Sequence, residues 1–288
     1  MNGLTVRAYA KINLSLEVTG RRADGFHELV SVFQAVSLSD ELVIRPADTL
    51  TLETEPALPF AAETNLVLRA ARLLRQRAGR LLGAQLLLRK RIPIAAGLGG
   101  GSADAAAALL GLRRLWNLDD IDLTPLAEEL GSDVPFFLRS ATALVRGRGE
   151  HVQPLPSLPV RLVVLVRPPV ALATADIFAQ LRPEEWSDGS ATSALAAALA
   201  AGAPLPPALP PNSLLPAAER CCGPLAALRA ALRAAGWRPY LSGSGPTLFH
   251  FPESPAEAEA IHRDAHRFGA QAWRCRTICR TPLRLAAN

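Results

Sequence analysis

From residue 4 to residue 18 the chain alternates without a break. Leu4, Val6, Ala8, Ala10, Ile12, Leu14, Leu16 and Val18 are apolar, and Thr5, Arg7, Tyr9, Lys11, Asn13, Ser15 and Glu17 stand between them. A strict period of two over this length specifies a half-buried β-strand. The polar face of that strand carries Lys11 and Asn13 one pleat apart. Such residues usually belong to a solvated sheet face, and the alternation alone does not distinguish that fate from a functional one.

The remaining pattern mixes strands and helices. Residues 20–25 form a turn-rich loop, and residues 28–38 and 41–45 read as strands. Thr64-Asn65 can cap a helix over 66–78, and 85–89 is a short apolar strand. A glycine stretch then leads into a helix over 102–116. Thr124 and Pro125 fit the cap and first turn of a helix ended by Gly131. Ser132-Asp133-Val134-Pro135 opens another short helical segment. Residues 141–146 and 161–166 read as strands. Five prolines in residues 204–211 make an extended loop or linker. A helix over 217–235, a strand-turn at 239–251, a helix over 255–268 and a strand over 270–279 complete the reading. There is no internal repeat and no regular βαβ rhythm. The expectation is an α+β protein of two domains, 1–155 and 156–288.

Composition removes several function classes. The 288 residues are 49% hydrophobic, enough for a sizeable core, and carry a net charge of +5. A basic balance suits an anionic partner such as a nucleotide. The arginines are scattered, with no basic stripe interleaved with aromatics, so no nucleic-acid partner is expected. Four cysteines are too few for a disulfide scaffold. Cys275-x3-Cys279 beside His262-x3-His266 matches no ordinary zinc spacing, and reduced thiols are the simpler reading. The uncharged run 189–218 holds six prolines and is no membrane helix. No secretory signal is read at the start of the chain, so a cytoplasmic protein is expected. No coiled coil or apolar interface stripe is present, which leaves monomer or weak homodimer.

Residues 97–101 contain four glycines, followed by Ser102 and an alanine-rich helix. The G-x-x-x-x-G-K-[ST] fingerprint fails because position 101 is Gly. G-x-G-x-x-G from Gly97 fails because position 102 is Ser. The physics those fingerprints share is nevertheless present. Glycines let the backbone approach a ligand and take positive φ. Successive N–H groups converge into a concavity, and the following helix adds about half a positive charge at its N-terminus. Ser102 can donate to a phosphate or help hold Mg²⁺. A flexible turn with Ser102 as a plain cap is the simpler alternative, but four glycines are a costly way to make one. A second cluster, Ser242-Gly243-Ser244-Gly245-Pro246, is either an ordinary turn or a second backbone wall against the first. Phosphoryl transfer also needs a carboxylate and a cation. Asp133 and Lys11 are candidates, although Asp133 also sits where a helix cap would.

These pieces together resemble the GHMP kinase superfamily, which includes galactokinase and the homoserine and mevalonate kinases. Its motif P-x-x-x-G-L-G-S/G-S/G-S-A/S is matched by Pro93-Ile94-Ala95-Ala96-Gly97-Leu98-Gly99-Gly100-Gly101-Ser102-Ala103, and its third motif by residues 242–246. Within that group the chain resembles the 4-diphosphocytidyl-2-C-methyl-D-erythritol kinase family. The residues that carry this are 10–14 (Ala-Lys-Ile-Asn-Leu), 22–29 with Asp24-Gly25-Phe26-His27, and 131–137. The resemblance implies a two-domain GHMP kinase fold, with an N-terminal half like ribosomal protein S5 and a ferredoxin-like C-terminal half. It implies ATP and Mg²⁺ as cofactors and phosphorylation of the 2-hydroxyl of a cytidyl sugar alcohol in the non-mevalonate route to isoprenoids. It carries over Asp133 as the base, Lys11 as the assisting lysine and residues 93–103 as the triphosphate cradle. It further implies that Phe26 and His27 meet the cytosine, with Phe178 as a second stacking aromatic beside Thr174, and Asn13 near the substrate diphosphate or Lys11. Phe26 stands where the family pattern has Tyr, which keeps the stacking face and loses a hydroxyl. The alternatives for Phe178 and His27 are a core aromatic and a strand-edge histidine.

Two other functions compete. A homoserine- or mevalonate-type kinase of the same superfamily would have no use for the block 24–29. A non-catalytic nucleotide-binding protein would be free to lose Lys11 or Asp133, and both are present in their motifs.

Overall fold

In the computed structural model, residues 3–279 and the strand 283–287 are described. The alternating N-terminal segment forms β1 (Leu4–Arg21) and pairs antiparallel with β2 (His27–Pro46). Sequence reading splits β2 at Ser39-Asp40; the structure carries the strand straight through, with Asp40 fully buried. β3 (Leu50–Glu55), α1 (Leu66–Ala78) and β4 (Ala84–Arg89) follow. Asn65 caps α1 as expected, its side chain accepting from Val67 N at 2.9 Å. β3 lies between 45 and 64, where the sequence pattern assigns no element, and runs parallel to β4.

Next come α2 (Gly100–Leu115), α3 (Thr124–Leu130), α4 (Val134–Arg139), β5 (Thr142–Gly147) and β6 (His151–Pro154). Thr124 begins α3 but does not cap it; Asp122 accepts from Thr124 N at 2.9 Å instead. The second half contains β7 (Leu162–Arg167), α5 (Thr174–Ala179), α6 (Ser190–Ala200), α7 (Leu215–Cys221) and α8 (Gly223–Ala234). It closes with β8 (Tyr240–Leu241), β9 (Leu248–His250), α9 (Pro255–Arg267), β10 (Gln271–Arg276) and β11 (Leu283–Ala287). The helix expected over 217–235 is two helices, because Pro224 has no N–H to continue the first one and opens the second.

Two sheets result. The first runs β11-β1-β2-β4-β3, with β5 on β2 and β6 on β5, and the second runs β10-β7-β9-β8. β11 therefore returns to the N-terminal sheet. Three core clusters fill the molecule. One packs α1, α2 and α4 on the first sheet, one packs α8 and α9 on the second, and the third lies between the halves. That middle cluster joins Ile12 and Leu14 of β1 to Leu165 of β7 and to Ile92, Ala96 and Leu98 of the glycine stretch. The C-terminal half thus packs on the apolar face of β1 at Ile12 and Leu14, and reaches the polar face at Glu17, whose Oε2 accepts from Thr192 N at 2.6 Å. Lys11, Asn13, Ser15 and Glu17 are all buried, where sequence alone leaves them half-exposed. Among the described residues, no helix is long and apolar enough to cross a membrane.

α2 lies against β1 and β2 at Gly111, where an added Cβ would meet Ile44 Cδ1 at 2.3 Å and Val6 Cγ2 at 3.0 Å. Gly111→Ala gains about 0.5–1 kcal/mol of helix propensity, but overpacking a closed core costs about 1–3 kcal/mol. Net destabilisation and a lower melting temperature are expected; a raised one would show that the helix–sheet contact yields.

Candidate active site

The site forms where the polar face of β1 meets both glycine clusters. The pairing of β1 with β2 shifts register between Tyr9 and Lys11 and again between Asn13 and Ser15. Such irregularities re-aim side chains, and here they flank the two polar residues of interest. Lys11 Nζ donates to Asn13 Oδ1 at 2.8 Å, and Asn13 Nδ2 donates to Ser31 Oγ at 2.9 Å. The second bond fixes the amide so that its oxygen faces the ammonium. Lys11 Nζ also stands 3.5 Å from Asp133 Oδ2 and 4.5 Å from the centre of the Phe33 ring.

Asp133 precedes α4 with helical backbone angles, and its side chain makes no hydrogen bond to the helix. It is not acting as a cap, since a capping residue has extended angles and accepts from the first turn. Its side chain is 29% exposed against 5% for that of Lys11. The ammonium is sealed in and the carboxylate opens to the cavity.

The glycine loop is tied to this pair by Lys11 N, which donates to Leu98 O at 2.9 Å. Gly97 and Gly99 adopt φ of +74° and +68°. An added Cβ at Gly99 would lie 3.0 Å from Phe137 Cζ and 3.1 Å from Lys11 Cγ. α2 starts at Gly100 with no side-chain cap, so its first N–H groups are left for a ligand. Ser102 lies in that first turn, not at the cap. The second glycine cluster packs directly on the first. Ser242 Oγ donates to Gly97 O at 2.9 Å, and a Cβ on Gly97 would fall 2.2 Å from Ser242 O. Asn212, at the end of the proline-rich loop, holds that second turn, donating to Leu241 O at 3.0 Å and Gly243 O at 2.8 Å.

A cavity of about 1200 Å³ joins these parts. Ligand sites usually span about 300–1,000 Å³, so there is room for two ligands. Lys11, Asn13, Asp133 and residues 93–102 line it, as do Phe26, His27, Thr174 and Phe178. Ala103 does not: it follows the helix inward and is fully buried in the N-terminal core. Its N–H is taken up within the helix, donating to Gly99 O at 2.9 Å.

The three rings at the aromatic end are not equivalent. His27 and Phe178 stack directly on each other, with centres 5.1 Å apart and planes at 29°. Phe26 is 51% exposed, and the Arg148 guanidinium carbon lies 5.2 Å from its ring centre. Asp24 Oδ1 accepts from Phe26 N at 3.1 Å and shapes the turn that presents the ring. Burial, helped by the charge of Arg21, holds the His27 imidazole below its ordinary pKa. Thr174 and Ser244 join hydroxyls at 2.9 Å, linking this end to the second glycine turn.

Sequence reading does not single out Arg148. The signal for it is the Gly147-Arg148-Gly149 turn, with φ of +77° and +127° at its glycines. A Cβ on Gly149 would meet Ser132 Cβ at 3.0 Å and Asp133 Oδ1 at 3.4 Å. That close approach delivers Arg148 to the cavity between Asp133 and Phe26.

Two family models match the chain, the GHMP kinases N terminal domain over residues 65–141 and the GHMP kinases C terminal domain over residues 192–271. A Pelotomaculum thermopropionicum protein described as 4-diphosphocytidyl-2-C-methyl-D-erythritol kinase is 41% identical over 272 residues, covering 92% of this chain and 93% of its own. The chain belongs to that family of GHMP kinases. It is a small-molecule kinase with the two-half fold of the superfamily. A solved 4-(cytidine 5'-diphospho)-2C-methyl-D-erythritol kinase superposes with a TM-score of 0.80 at 39% identity, over 95% of this chain and 98% of that one. Homoserine kinase from Cytophaga hutchinsonii shares the fold, with a TM-score of 0.72 at 20% identity, over 99% of this chain and 98% of that one.

Gly97→Ala tests the glycine wall. Forcing a side chain into left-handed backbone costs about 1–3 kcal/mol, and Ser242 blocks the space as well. ATP binding followed by calorimetry is expected to weaken about tenfold or more. Unchanged affinity would show that the two walls need not touch.

Proposed function

We propose that this kinase transfers the γ-phosphoryl group of ATP to the 2-hydroxyl of 4-diphosphocytidyl-2-C-methyl-D-erythritol, releasing ADP and the 2-phosphate. The observation that carries this reading is the Lys11–Asp133 pair, 3.5 Å apart, in one cavity with the glycine loop and the aromatic cluster. The loop's N–H groups and the start of α2 bind the triphosphate. The aromatic cluster binds the cytidine, and the acceptor hydroxyl lies between, at Asp133.

A tertiary hydroxyl is a poor nucleophile. Asp133 Oδ accepts its proton as the new P–O bond forms and the bond to the ADP oxygen breaks. Lys11 donates toward the transferring phosphoryl and balances the charge that builds there. Its bond to Asn13 fixes its direction, so no reorganisation is needed during the reaction. Arg148 adds a second cation on the side of the cytidyl diphosphate. Phe26 offers the base an exposed face, and His27, backed by Phe178, turns a ring nitrogen to its edge.

Mg²⁺ fits as an ion that arrives with the nucleotide. Among the described residues, no group of three His, Cys, Asp or Glu side chains could hold a metal alone. Mg²⁺ is commonly bound through phosphates, water and one or two protein oxygens. The Ser102 hydroxyl, in the first turn of α2, is the protein oxygen that would hold it, and the ion would neutralise phosphate charge. A homoserine- or mevalonate-type acceptor is the competing reading, and it leaves the Phe26-His27-Phe178 cluster without a base to bind.

ADP release with the cytidyl substrate, against homoserine and mevalonate controls, tests the assignment; turnover of a control alone would overturn it. Asp133→Asn is expected to lower kcat by about 10²-fold or more, and near-normal kcat would remove Asp133 from the chemistry. His27 gives a pH test. Its lowered pKa keeps the ring neutral at pH 7, and the ring charges as pH falls through that value. The KM of the cytidyl substrate is expected to rise on that acid limb, and in His27→Phe the limb is expected to vanish. A limb that survives the substitution assigns it to another group.

A further inference from the structure

The glycine loop has two ends, and one buried ion cluster holds both. Lys90 follows β4, immediately before the loop. Its Nζ donates to Asp40 Oδ2 on β2, and at 2.7 Å to Asp104 Oδ2 in the first turns of α2. The other oxygen of Asp40 accepts from Arg91 N at 2.5 Å and Ile92 N at 2.8 Å. The side chains of Asp40, Lys90 and Asp104 are 0%, 9% and 3% exposed. Asp104 Oδ1 has no hydrogen-bond partner among the described residues. Lys90 and Asp104 both stand in the cavity wall. A single ammonium thus joins the strand that leads into the loop to the helix that leaves it.

We propose that Asp40 and Asp104, joined through Lys90, are positioning residues that hold the two ends of the glycine loop at the spacing where its N–H groups converge on the nucleotide. The proposal rests on reading that loop as the ATP site. A run of glycines has no stiffness of its own, so convergence before binding must be imposed from its ends. The packing supports this: a Cβ on Gly100 would meet Ile92 Cγ2 at 2.8 Å. The residue that Asp40 fixes is therefore the one beneath the start of α2, and drift at one end displaces the other.

The test is ATP binding to the full chain by calorimetry, with acceptor KM measured in parallel. Asp40→Asn, which keeps an oxygen for the two N–H groups but loses the charge, is expected to weaken ATP binding about tenfold. Asp104→Ala, which removes the tie from Lys90 to α2, is expected to weaken it by about the same factor. In both variants the acceptor KM is expected to move less than about twofold. Wild-type ATP affinity in a folded Asp40→Asn or Asp104→Ala variant, or an acceptor KM that rises as much as the ATP Kd, overturns the clamp. If melting shows Asp40→Asn unfolded, Asp104→Ala decides alone. Wild-type protein that binds no ATP sinks the nucleotide reading, and the clamp with it.

Discussion

A buried ammonium must be met by partners, because an unpaired charge out of water costs several kcal/mol. Lys11 is met by the amide of Asn13, the carboxylate of Asp133 and the face of Phe33. Those partners come from β1, from the start of α4 and from β2. The glycine loop adds a backbone tie through Leu98. Four separate segments are brought to one point by the need to satisfy one side chain. The proposed reaction depends on the same point, since Lys11 is the group assigned to the transferring phosphoryl.

The C-terminal half supplies what the N-terminal half lacks. It packs on Ile12 and Leu14 of β1, holds Glu17 through Thr192 N, provides the Ser242–Gly245 wall and contributes Phe178 and Thr174. Contact between the walls is backbone on backbone at Gly97 and Ser242, which leaves no tolerance for side chains. The apolar residues within the glycine stretch, Ile92, Ala96 and Leu98, are anchored in the core between the halves. These three hold the stretch against the core, while Ile94 and Ala95 between them are exposed.

Much of this was legible in the sequence. Periodicity found β1, the Asn65 cap and most helices, and the glycine clusters and Asp133 were visible as motifs. What stayed hidden depends on tertiary contact. Alternation cannot tell whether the polar face of β1 meets water or another half of the molecule. Asp40 looks like a strand breaker, because its burial is set by Lys90 and two N–H groups some 50 residues later. Arg148 lies in a turn whose purpose shows only when that turn is seen against Asp133. Ala103 belongs to the motif by position but points inward, since a motif written along the chain does not record the rotation of a helix. The stack of His27 on Phe178 was equally hidden, since the two residues lie some 150 positions apart in the chain.

The last strand described has a bearing on how the molecule is made. β11 pairs with the outer edge of β1, from Leu4 against Ala287 to Ala8 against Leu283. During synthesis this edge of β1 therefore waits for a strand that follows it by some 280 residues. At about 5–20 residues per second that wait is on the order of tens of seconds. Throughout it, an apolar strand has one row of N–H and C=O groups open to any other chain that can offer a strand. Shielding that open edge during synthesis is then a demand on the chain separate from the stability of the finished fold.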